Sequence, residues 1–592
     1  MSLTPSSVLK EIFGYHSFVG NQEQIINHVL QNKSALAMMP TGGGKSLCYQ
    51  IPALILPNIT VVVSPLLALM QDQSDNLKNI GISAVIISSN LTATEYINII
   101  KYIKTAKVKI IYTTPERAVS NSFIDLLFSV KISLFAIDEA HCVSHWGHDF
   151  RAEYQQLSIF KHKFPQVPII ALTATADNST KLDILTSLRI NNAKIFTQSF
   201  NRPNIYYLSI EKKNAKQQVL TFLKQNKFKT GIIYCNSRQK VDDIHDFLDS
   251  QSLLVCKYHA GMTIAERNNS HRAFLTNNYT IMIATIAFGL GIDKPDVRFV
   301  YHLDLPKSLE NFYQESGRAG RDGLPALSVI NYSLQDCYRL MYMITNSENS
   351  PEKKQLDLEK LNQVMQFCDS IVCKRVTLLK SLQEDITPCG NCDVCNNSQL
   401  EDMSVLAQKI LSTIYKVNGK FGSKHIIDIL KGKANYQVQI WDHHQLSTFG
   451  LASEYHERDL KRVIRQLYSQ QFINIDPSSQ QIKLNHKSLT ILKGITNFTA
   501  HKPLYHHNSY SQQQNLLTEL ETRILFDLNH WRQSLAIHNK SSLHSIINDK
   551  IILEIVKKKP TTLITLTKVA GIGRLKIDKF GLDIIKIIKK HF

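Results

Sequence analysis

At 592 residues the chain is too long for a single hydrophobic core, since one core rarely serves more than about 250–300 residues. A composition of 43% hydrophobic and 20% charged residues is ordinary for a soluble globular protein. The opening MSLTPSSVLK lacks the pattern of a secretory signal, and no run approaches the roughly 20 apolar residues of a membrane span. We therefore expect a cytoplasmic protein without membrane attachment.

The charge is strongly positive and unevenly distributed. The formal net charge is +19, and residues 401–592 alone hold 28 Lys and Arg against 15 Asp and Glu, a net +13. Basic surface of this size attracts polyanions. Because the excess is concentrated in one region, a nucleic-acid partner is favoured over a merely solubilising surface.

Residues 1–350 alternate apolar runs with amphipathic helical patterns, which is typical of parallel sheets. The first series of predicted strands is SALAMMP, ITVVVSP, KIIYTTP, LFAIDEA and PIIALTA. The second series is GIIYCNS, VCKYHAG, IMIATIA, VRFVYHL and SVINYS. Two series predict two α/β domains, over residues 1–203 and 204–345, with a boundary where Pro203 and its polar neighbours interrupt the pattern in SFNRPNIYY.

A glycine-rich turn, MMPTGGGKS (38–46), stands between a predicted strand and a predicted helix. The turn suits a loop whose backbone N–H groups cradle phosphates, although a purely structural turn is the alternative. Lys45 would neutralise the β- and γ-phosphates, and the Ser46 hydroxyl would bind Mg²⁺. The nucleotide-binding residues predicted here are Thr41, Gly42, Gly43, Gly44, Lys45 and Ser46.

Two acidic residues, Asp138 and Glu139, follow the apolar run SLFAI and therefore stand at the carboxyl end of a predicted strand. Ligands of open α/β sheets bind at this edge. We assign Asp138 to Mg²⁺ coordination and Glu139 to the attacking water, in preference to a solvated acidic turn.

The sequence YQESGRAGRDG (313–323) supplies two arginines from the second domain. Arg318 and Arg321 are predicted to stabilise charge on the transferring γ-phosphoryl group. Together with the phosphate loop and the acidic pair, they predict an ATPase.

The ordered set of motifs resembles the RecQ DNA helicases of superfamily 2. The motifs are MPTGGGKS, VVSPLLALMQDQ, YTTPER, DEAHCVSHWGHDFR, ALTATA, IIYCNSR, YHAGM, IATIAFGLGIDKPDVR and QESGRAGRDG. The resemblance implies two RecA-like domains and 3′→5′ translocation on DNA, with roles in recombination, repair, replication and the SOS response. It also implies that Tyr15 stacks on adenine and Gln22 reads the edge of the base, whereas Val19 replaces the family's usual basic residue.

Further roles are implied by the same resemblance. His141 would relay between the nucleotide and the second domain. The family's aromatic-rich loop would couple single-stranded DNA to the ATP site. The residues placed at the nucleic acid in this way are Ser64, His141, Trp146, His148, Phe150, Arg151, Arg238 and Thr285.

Four cysteines cluster in the predicted segment 346–400 with the spacing C-x15-C-x2-C-x2-C. Two short C-x-x-C steps suit tetrahedral thiolate coordination, so structural Zn²⁺ is favoured over a redox pair. The predicted ligands are Cys373, Cys389, Cys392 and Cys395.

The basic C-terminal part resembles the family's winged-helix and HRDC units. We place a winged-helix domain at 401–500, with a DNA-facing helix that carries Lys461, Arg462 and Arg465. A polar linker at 501–515 leads to an HRDC bundle at 516–592. The VAGIG turn with Lys568, Arg574 and Lys576 suits a phosphate, and a docking bundle without strong DNA affinity is the alternative.

The prediction is an ATP-dependent DNA helicase that uses ATP, Mg²⁺ and Zn²⁺ and binds single-stranded and duplex DNA. Single-strand-binding protein and recombination factors are the candidate protein partners, and the nucleoid is the expected site of action. Two rivals remain: an RNA helicase of the DEAH class, and a DNA-binding protein without helicase activity.

Overall fold

The computed structural model describes residues 3–88, 91–105, 108–144, 151–174, 178–226, 229–288, 294–397, 400–501, 518–539 and 543–592. Two parallel sheets form two lobes, which are followed by a cysteine-bearing helical segment, a winged helix and a helical bundle. Every helix of the described ranges is too short or too polar to cross a bilayer.

The first lobe is built on a seven-stranded sheet. Its strands are β1 (Ala35–Met38), β2 (Ile59–Val63), β3 (Ala84–Ile87), β4 (Ile110–Thr113), β5 (Ile132–Ile137), β6 (Ile169–Thr173) and β7 (Lys194–Thr197). All neighbours are parallel, in the order β3-β4-β2-β5-β6-β1-β7. Helices cover both faces, so β1, β2, β4 and β6 are buried along their whole length. The five predicted strands are confirmed, whereas β3 and β7 had not been predicted.

The second lobe has a six-stranded sheet. Its strands are β8 (Ile205–Glu211), β9 (Gly231–Tyr234), β10 (Val255–Tyr258), β11 (Ile281–Ala284), β12 (Phe299–His302) and β13 (Ala326–Tyr332). They run parallel in the order β10-β11-β9-β12-β13-β8. The strand β8 begins two residues after Pro203, and it was not predicted because polar residues flank its start.

Helices pack on both faces of each sheet. Those of the first lobe are α1 (Pro5–Glu11), α2 (Gln22–Leu30), α3 (Leu47–Ile55), α4 (Leu67–Asn79), α5 (Ala93–Lys104), α6 (Pro115–Ala118), α7 (Asn121–Phe128), α8 (Ala152–Gln155), α9 (Ser158–Lys163) and α10 (Asn178–Ser187). Those of the second lobe are α11 (Ala215–Gln225), α12 (Arg238–Asp249), α13 (Ile264–Leu275), α14 (Leu309–Ser316) and α15 (Leu334–Thr345).

The remaining elements are mostly helical. The cysteine segment contains α16 (Pro351–Cys368), α17 (Lys374–Ser381) and α18 (Asp393–Asn397). The winged helix contains β14 (Leu400–Asp402), α19 (Ser404–Lys416), α20 (Ser423–Leu430), α21 (Tyr436–Ile440), α22 (Glu457–Ser469), β15 (Ile473–Ile475), β16 (Ile482–Leu484), α23 (Ser488–Leu492) and β17 (Thr499–His501). The bundle contains α24 (Glu519–His538), α25 (Leu543–Ile546), α26 (Asp549–Lys558), α27 (Leu563–Leu566) and α28 (Arg574–Lys589). Most of the predicted linker, residues 502–515, lies outside the described residues.

The predicted DNA-facing helix, α22, is confirmed as a helix followed by the β15–β16 hairpin, but two of its arginines point into the protein. The Arg465 guanidinium pairs with Asp369 at 2.8 Å and with Glu211 at 3.1 Å. The Arg462 guanidinium pairs with Glu401 at 2.8 Å, and both arginines are buried. Their predicted contact with DNA is corrected: they fasten α22 to the second lobe, to the end of α16 and to β14. Lys461 remains exposed and stays a candidate.

Removal of the Arg465 guanidinium leaves the Asp369 carboxylate, only 3% exposed, without its ionic partner. We expect Arg465→Ala to cost about 3–5 kcal/mol of stability, because a buried charge is left uncompensated. Denaturant titration of the full chain measures this loss. The matched control, Lys461→Ala on the exposed face of α22, should change stability by less than about 1 kcal/mol. If Arg465→Ala kept its stability and lost only DNA affinity, the original DNA-contact interpretation would stand.

Candidate functional site

The phosphate-binding loop (residues 39–46) connects β1 to α3. Gly42 and Gly44 have φ of +77° and +74°, in the left-handed region that favours glycine. This backbone conformation suits a curled loop whose N–H groups point inward. Lys45 Nζ is buried and has no hydrogen-bond partner among the described residues. A buried ammonium group beside such a loop fits an anionic phosphate.

The Gln22 side chain supports this loop. Its Nε2 donates to the carbonyls of Gly43 and Gly44 at 3.1 and 3.2 Å, and its Oε1 accepts from the Val19 amide at 2.9 Å. These contacts hold Gln22 against the loop, and its predicted reading of the adenine edge stays a prediction. Tyr15 is 45% exposed, and its stacking on the base stays a prediction.

Asp138 and Glu139 follow β5 at the same edge of the sheet, because only β6 separates β5 from β1. The Asp138 carboxylate accepts from the Glu139 amide at 3.0 Å, and Tyr154 donates to the Asp138 carbonyl at 2.9 Å. Glu139 has φ of +48°, which is uncommon for a residue with a side chain and typical of strained functional turns. The Ser46 hydroxyl and the Asp138 carboxylate are oxygen donors of the kind that Mg²⁺ prefers.

His141 lies behind the acidic pair rather than at a nucleic-acid surface. It is 1% exposed. Its Nδ1 stands 3.0 Å from the Thr173 hydroxyl and 3.4 Å from the Glu139 carboxylate. The predicted contact with DNA is corrected, because the His141 side chain is buried, whereas the predicted relay to the second lobe stays a prediction. The side chain joins Glu139 to the end of β6.

The arginine loop (residues 317–323) of the second lobe lies against the phosphate-binding loop. Arg321 Cγ stands 3.2 Å from the position that a Cβ on Gly42 would occupy. A Cβ on Gly317 would lie 2.0 Å from the Thr41 hydroxyl, so only glycine fits there. Arg318, in the same loop, is 6% exposed. The structure therefore brings the predicted arginines of one lobe to the predicted phosphate site of the other.

Sequence reasoning missed Arg202, which lies between these two loops. It immediately precedes Pro203 in the segment that had been interpreted only as a domain boundary. The one sequence signal that could have revealed Arg202 is its position, as an arginine among Phe, Asn and Pro in a connecting segment.

The four cysteines form the predicted cluster. Their sulfur atoms all lie within 4.8 Å of one another, and the Cys373 and Cys389 sulfurs are 3.3 Å apart. Tetrahedral Zn–S bonds of about 2.3 Å place sulfurs about 3.8 Å apart, so the cluster fits Zn²⁺. A hydrogen bond from the Cys389 thiol holds the pKa of Cys392 well below its usual range. Cys368 is buried outside the cluster.

The remaining predicted DNA contacts are divided by their exposure. Arg238 begins α12 and is exposed, and Thr285 is half-buried after β11. Ser64 is 2% exposed. Arg151 donates to the carbonyl of Pro65, the residue after Ser64, at 3.2 Å, and the DNA contacts of Ser64 and Arg151 stay predictions. Trp146, His148 and Phe150 lie outside the described residues, and their roles stay predictions.

The C-terminal bundle docks on the first lobe through its VAGIG turn. The Gly571 amide donates to the Gly14 carbonyl at 2.7 Å, one residue from Tyr15. Gly573 is also packed against the backbone of residues 11–14. The predicted use of this turn for a DNA phosphate is corrected, since Gly14 takes the Gly571 amide. Lys568 and Arg574 are exposed, whereas burial lowers the pKa of Lys576 to about 8.

Two parallel-sheet lobes with a phosphate-binding loop, an acidic pair and facing arginines define a helicase-type nucleoside triphosphatase. Family models match in the same order. They are the DEAD/DEAH box helicase (20–184), the helicase conserved C-terminal domain (211–323), RecQ zinc-binding (334–396), the RQC domain (397–509) and the HRDC domain (521–588).

Curated relatives extend over nearly the whole chain. It is 39% identical to the ATP-dependent DNA helicase RecQ of Haemophilus influenzae, with 99% of this chain and 96% of the relative covered. It is 38% identical to the RecQ of Pasteurella multocida, with 99% and 94% covered, and 33% identical to that of Bacillus subtilis, with 99% and 98% covered. The chain belongs to the RecQ family of ATP-dependent DNA helicases.

We expect about one Zn²⁺ per folded chain, because four clustered thiols satisfy its preferred coordination. Cys373→Ser should lower the zinc content several-fold, as measured by elemental analysis of the purified chain. Cys368→Ala, a matched change five positions earlier and outside the cluster, should keep the metal. Equal zinc in both variants would contradict the assigned ligand set.

Proposed function

We propose that the chain moves 3′→5′ along single-stranded DNA and unwinds duplexes in recombination, repair, replication and the SOS response. The ATP-driven movement in this proposal rests on the arginine loop of one lobe lying against the phosphate-binding loop of the other, whereas the 3′→5′ direction and the cellular processes rest on the family resemblance. A nucleotide held between them would be contacted from both lobes, so its hydrolysis would change the grip of one lobe on the other.

Each group of the cleft has a defined task in this proposal. Lys45 and the loop N–H groups bind the phosphates, and Tyr15 stacks on the base. Glu139 orients the attacking water, while Arg318 and Arg321 stabilise negative charge on the transferred γ-phosphoryl group. Ser46 and Asp138 would hold Mg²⁺, which would supply positive charge to neutralise the phosphates.

DNA would run across the lobes at the carboxyl ends of the strands, where Arg238 and Thr285 stand. The excess positive charge of residues 401–592 supports duplex binding by the C-terminal domains. The same proposal places the chain in the cytoplasm at the nucleoid, with single-strand-binding protein and recombination factors as candidate partners.

The polarity is tested with partial duplexes that carry either a 3′ or a 5′ single-stranded tail. We expect ATP- and Mg²⁺-dependent strand separation from the 3′ tail, because the translocating strand is entered there. Lys45→Ala should abolish it, since the phosphates lose their buried countercharge. Fluorescence of a labelled displaced strand measures the rate.

Lys33→Ala is the matched control, because Lys33 precedes β1 at the opposite edge of the sheet. Unwinding from the 5′ tail alone would contradict the polarity. ATP turnover stimulated by single-stranded RNA and not by DNA would favour the DEAH-class rival. DNA binding without any turnover would favour a protein that has no helicase activity.

A further inference from the structure

The segment between the two sheets, from the end of β7 at Thr197 to the start of β8 at Ile205, does more than connect them. Its residues 199–205 lie between the nucleotide cleft and the cysteine segment, and they are hydrogen-bonded to both. We call this stretch the interlobe linker.

Arg202 extends from the linker into the cleft and is 9% exposed. Its Nη1 donates to the Thr41 carbonyl in the phosphate-binding loop and to the Gly317 carbonyl at 3.0 Å. Its Nη2 donates to the carbonyls of Ala319 and Gly320 at 3.0 and 2.9 Å. One guanidinium therefore joins a loop of the first lobe to the arginine loop of the second.

Among the described side chains no carboxylate lies within ion-pair distance of Arg202. Burial lowers the pKa of Arg202, although the more distant charge of Asp322 acts to raise it. Burying an unpaired charge is costly, so the four carbonyl oxygens must compensate for the lost water. Separating the two loops would remove some of these oxygens, and the cost of that removal holds the loops together. A lysine side chain ends in a single ammonium nitrogen, so it cannot reproduce the planar arrangement of donors in the guanidinium group.

The opposite side of the linker is held by the cysteine segment. Asn391, beside the zinc ligand Cys392, donates to the Pro203 carbonyl at 3.0 Å. Arg375 donates to the Ile205 carbonyl at 2.7 Å. The Glu384 carboxylate accepts from the Phe200 amide at 2.6 Å and from the Ser199 hydroxyl.

We propose that Arg202 is a positioning residue for ATP hydrolysis, which holds the arginine loop against the phosphate-binding loop and is itself held in place by the cysteine segment. The proposal rests on the proposed catalytic roles of Arg318 and Arg321. Arg202 binds the carbonyls of Gly317, Ala319 and Gly320, which belong to the same loop as Arg318 and Arg321. A shift of this backbone would therefore displace the two arginine side chains from the phosphates. The cysteine segment then supports hydrolysis through the linker, without touching the nucleotide.

The test is steady-state ATP turnover by the full chain with saturating single-stranded DNA. Arg202→Ala should lower kcat about 100-fold, the scale of a misplacement of about 1 Å at a reacting centre. The KM for ATP should change less than about threefold, since Lys45 and the loop glycines are untouched. Arg202→Lys should recover part of the loss, and low millimolar guanidinium added to Arg202→Ala should raise its kcat.

Lys109→Ala is the matched control. Lys109 donates to the Leu56 carbonyl at 3.0 Å and immediately precedes β4, at the amino edge of the first sheet. Its kcat should equal that of the unmodified chain. A merely structural Arg202 would lower the unfolding midpoint and leave kcat per folded molecule unchanged, which would overturn the proposal. If Arg202→Ala does not fold, Arg202→Lys serves as the test variant. An unchanged kcat in Arg202→Lys would likewise overturn the proposal.

Glu384→Ala tests the support from the cysteine segment, because it removes two contacts with the linker and no zinc ligand. We expect a fall in kcat of several-fold that is not additive with Arg202→Ala, since both act through one segment. Fully additive effects would overturn this half of the proposal. An unmodified chain that fails to hydrolyse ATP would overturn the proposed function as well, whereas normal turnover in every variant would overturn only the positioning role.

Discussion

The contact between the phosphate-binding loop and the arginine loop is the constraint on which the rest of the molecule depends. It joins two lobes with separate sheets, and it leaves space for glycine alone at Gly317, where a Cβ would lie 2.0 Å from the Thr41 hydroxyl. Glycines of each loop face side chains of the other, and Arg202 donates hydrogen bonds to backbone carbonyls of both loops. The proposed coupling of nucleotide chemistry to lobe movement would act at this interface.

The domains outside the lobes are fastened near this interface. The cysteine segment binds the interlobe linker. Helix α22 of the winged helix is anchored through Arg465 to Asp369 and Glu211. The bundle reaches the first lobe beside Tyr15 through Gly571. Each attachment uses backbone carbonyls or carboxylates that are buried or partly buried, so salt should screen these contacts less than it screens DNA binding.

The sequence was informative where a short local pattern determines the structure. Buried parallel strands are continuous apolar runs, and the phosphate-binding loop and the C-x-x-C steps are each contained within a few residues. Strands β3, β7 and β8 were missed because they are short, at an edge or flanked by polar residues. The order of the domains followed from the resemblance, and the family models match that order.

Side chains whose partners are distant in sequence could not be predicted. Arg465 looks like a DNA-binding arginine until Asp369, 96 positions earlier, is seen beside it. Gln22 contacts a loop 21 and 22 residues away, and Arg202 contacts Thr41 at a separation of 161. Each of these polar residues stabilises a distant part of the chain. The local sequence pattern does not show this, because the partner is far away in sequence.

The central claim is that both lobes act on one nucleotide, and Arg321→Ala tests it most directly. Single-turnover ATP hydrolysis should be compared with the affinity for a fluorescent ATP analogue, with Arg339→Ala on the exposed face of α15 as the control. We expect hydrolysis at least about 10³-fold slower in Arg321→Ala, the scale of a lost arginine finger, with analogue affinity within about threefold. Hydrolysis at the unmodified rate would contradict the central claim.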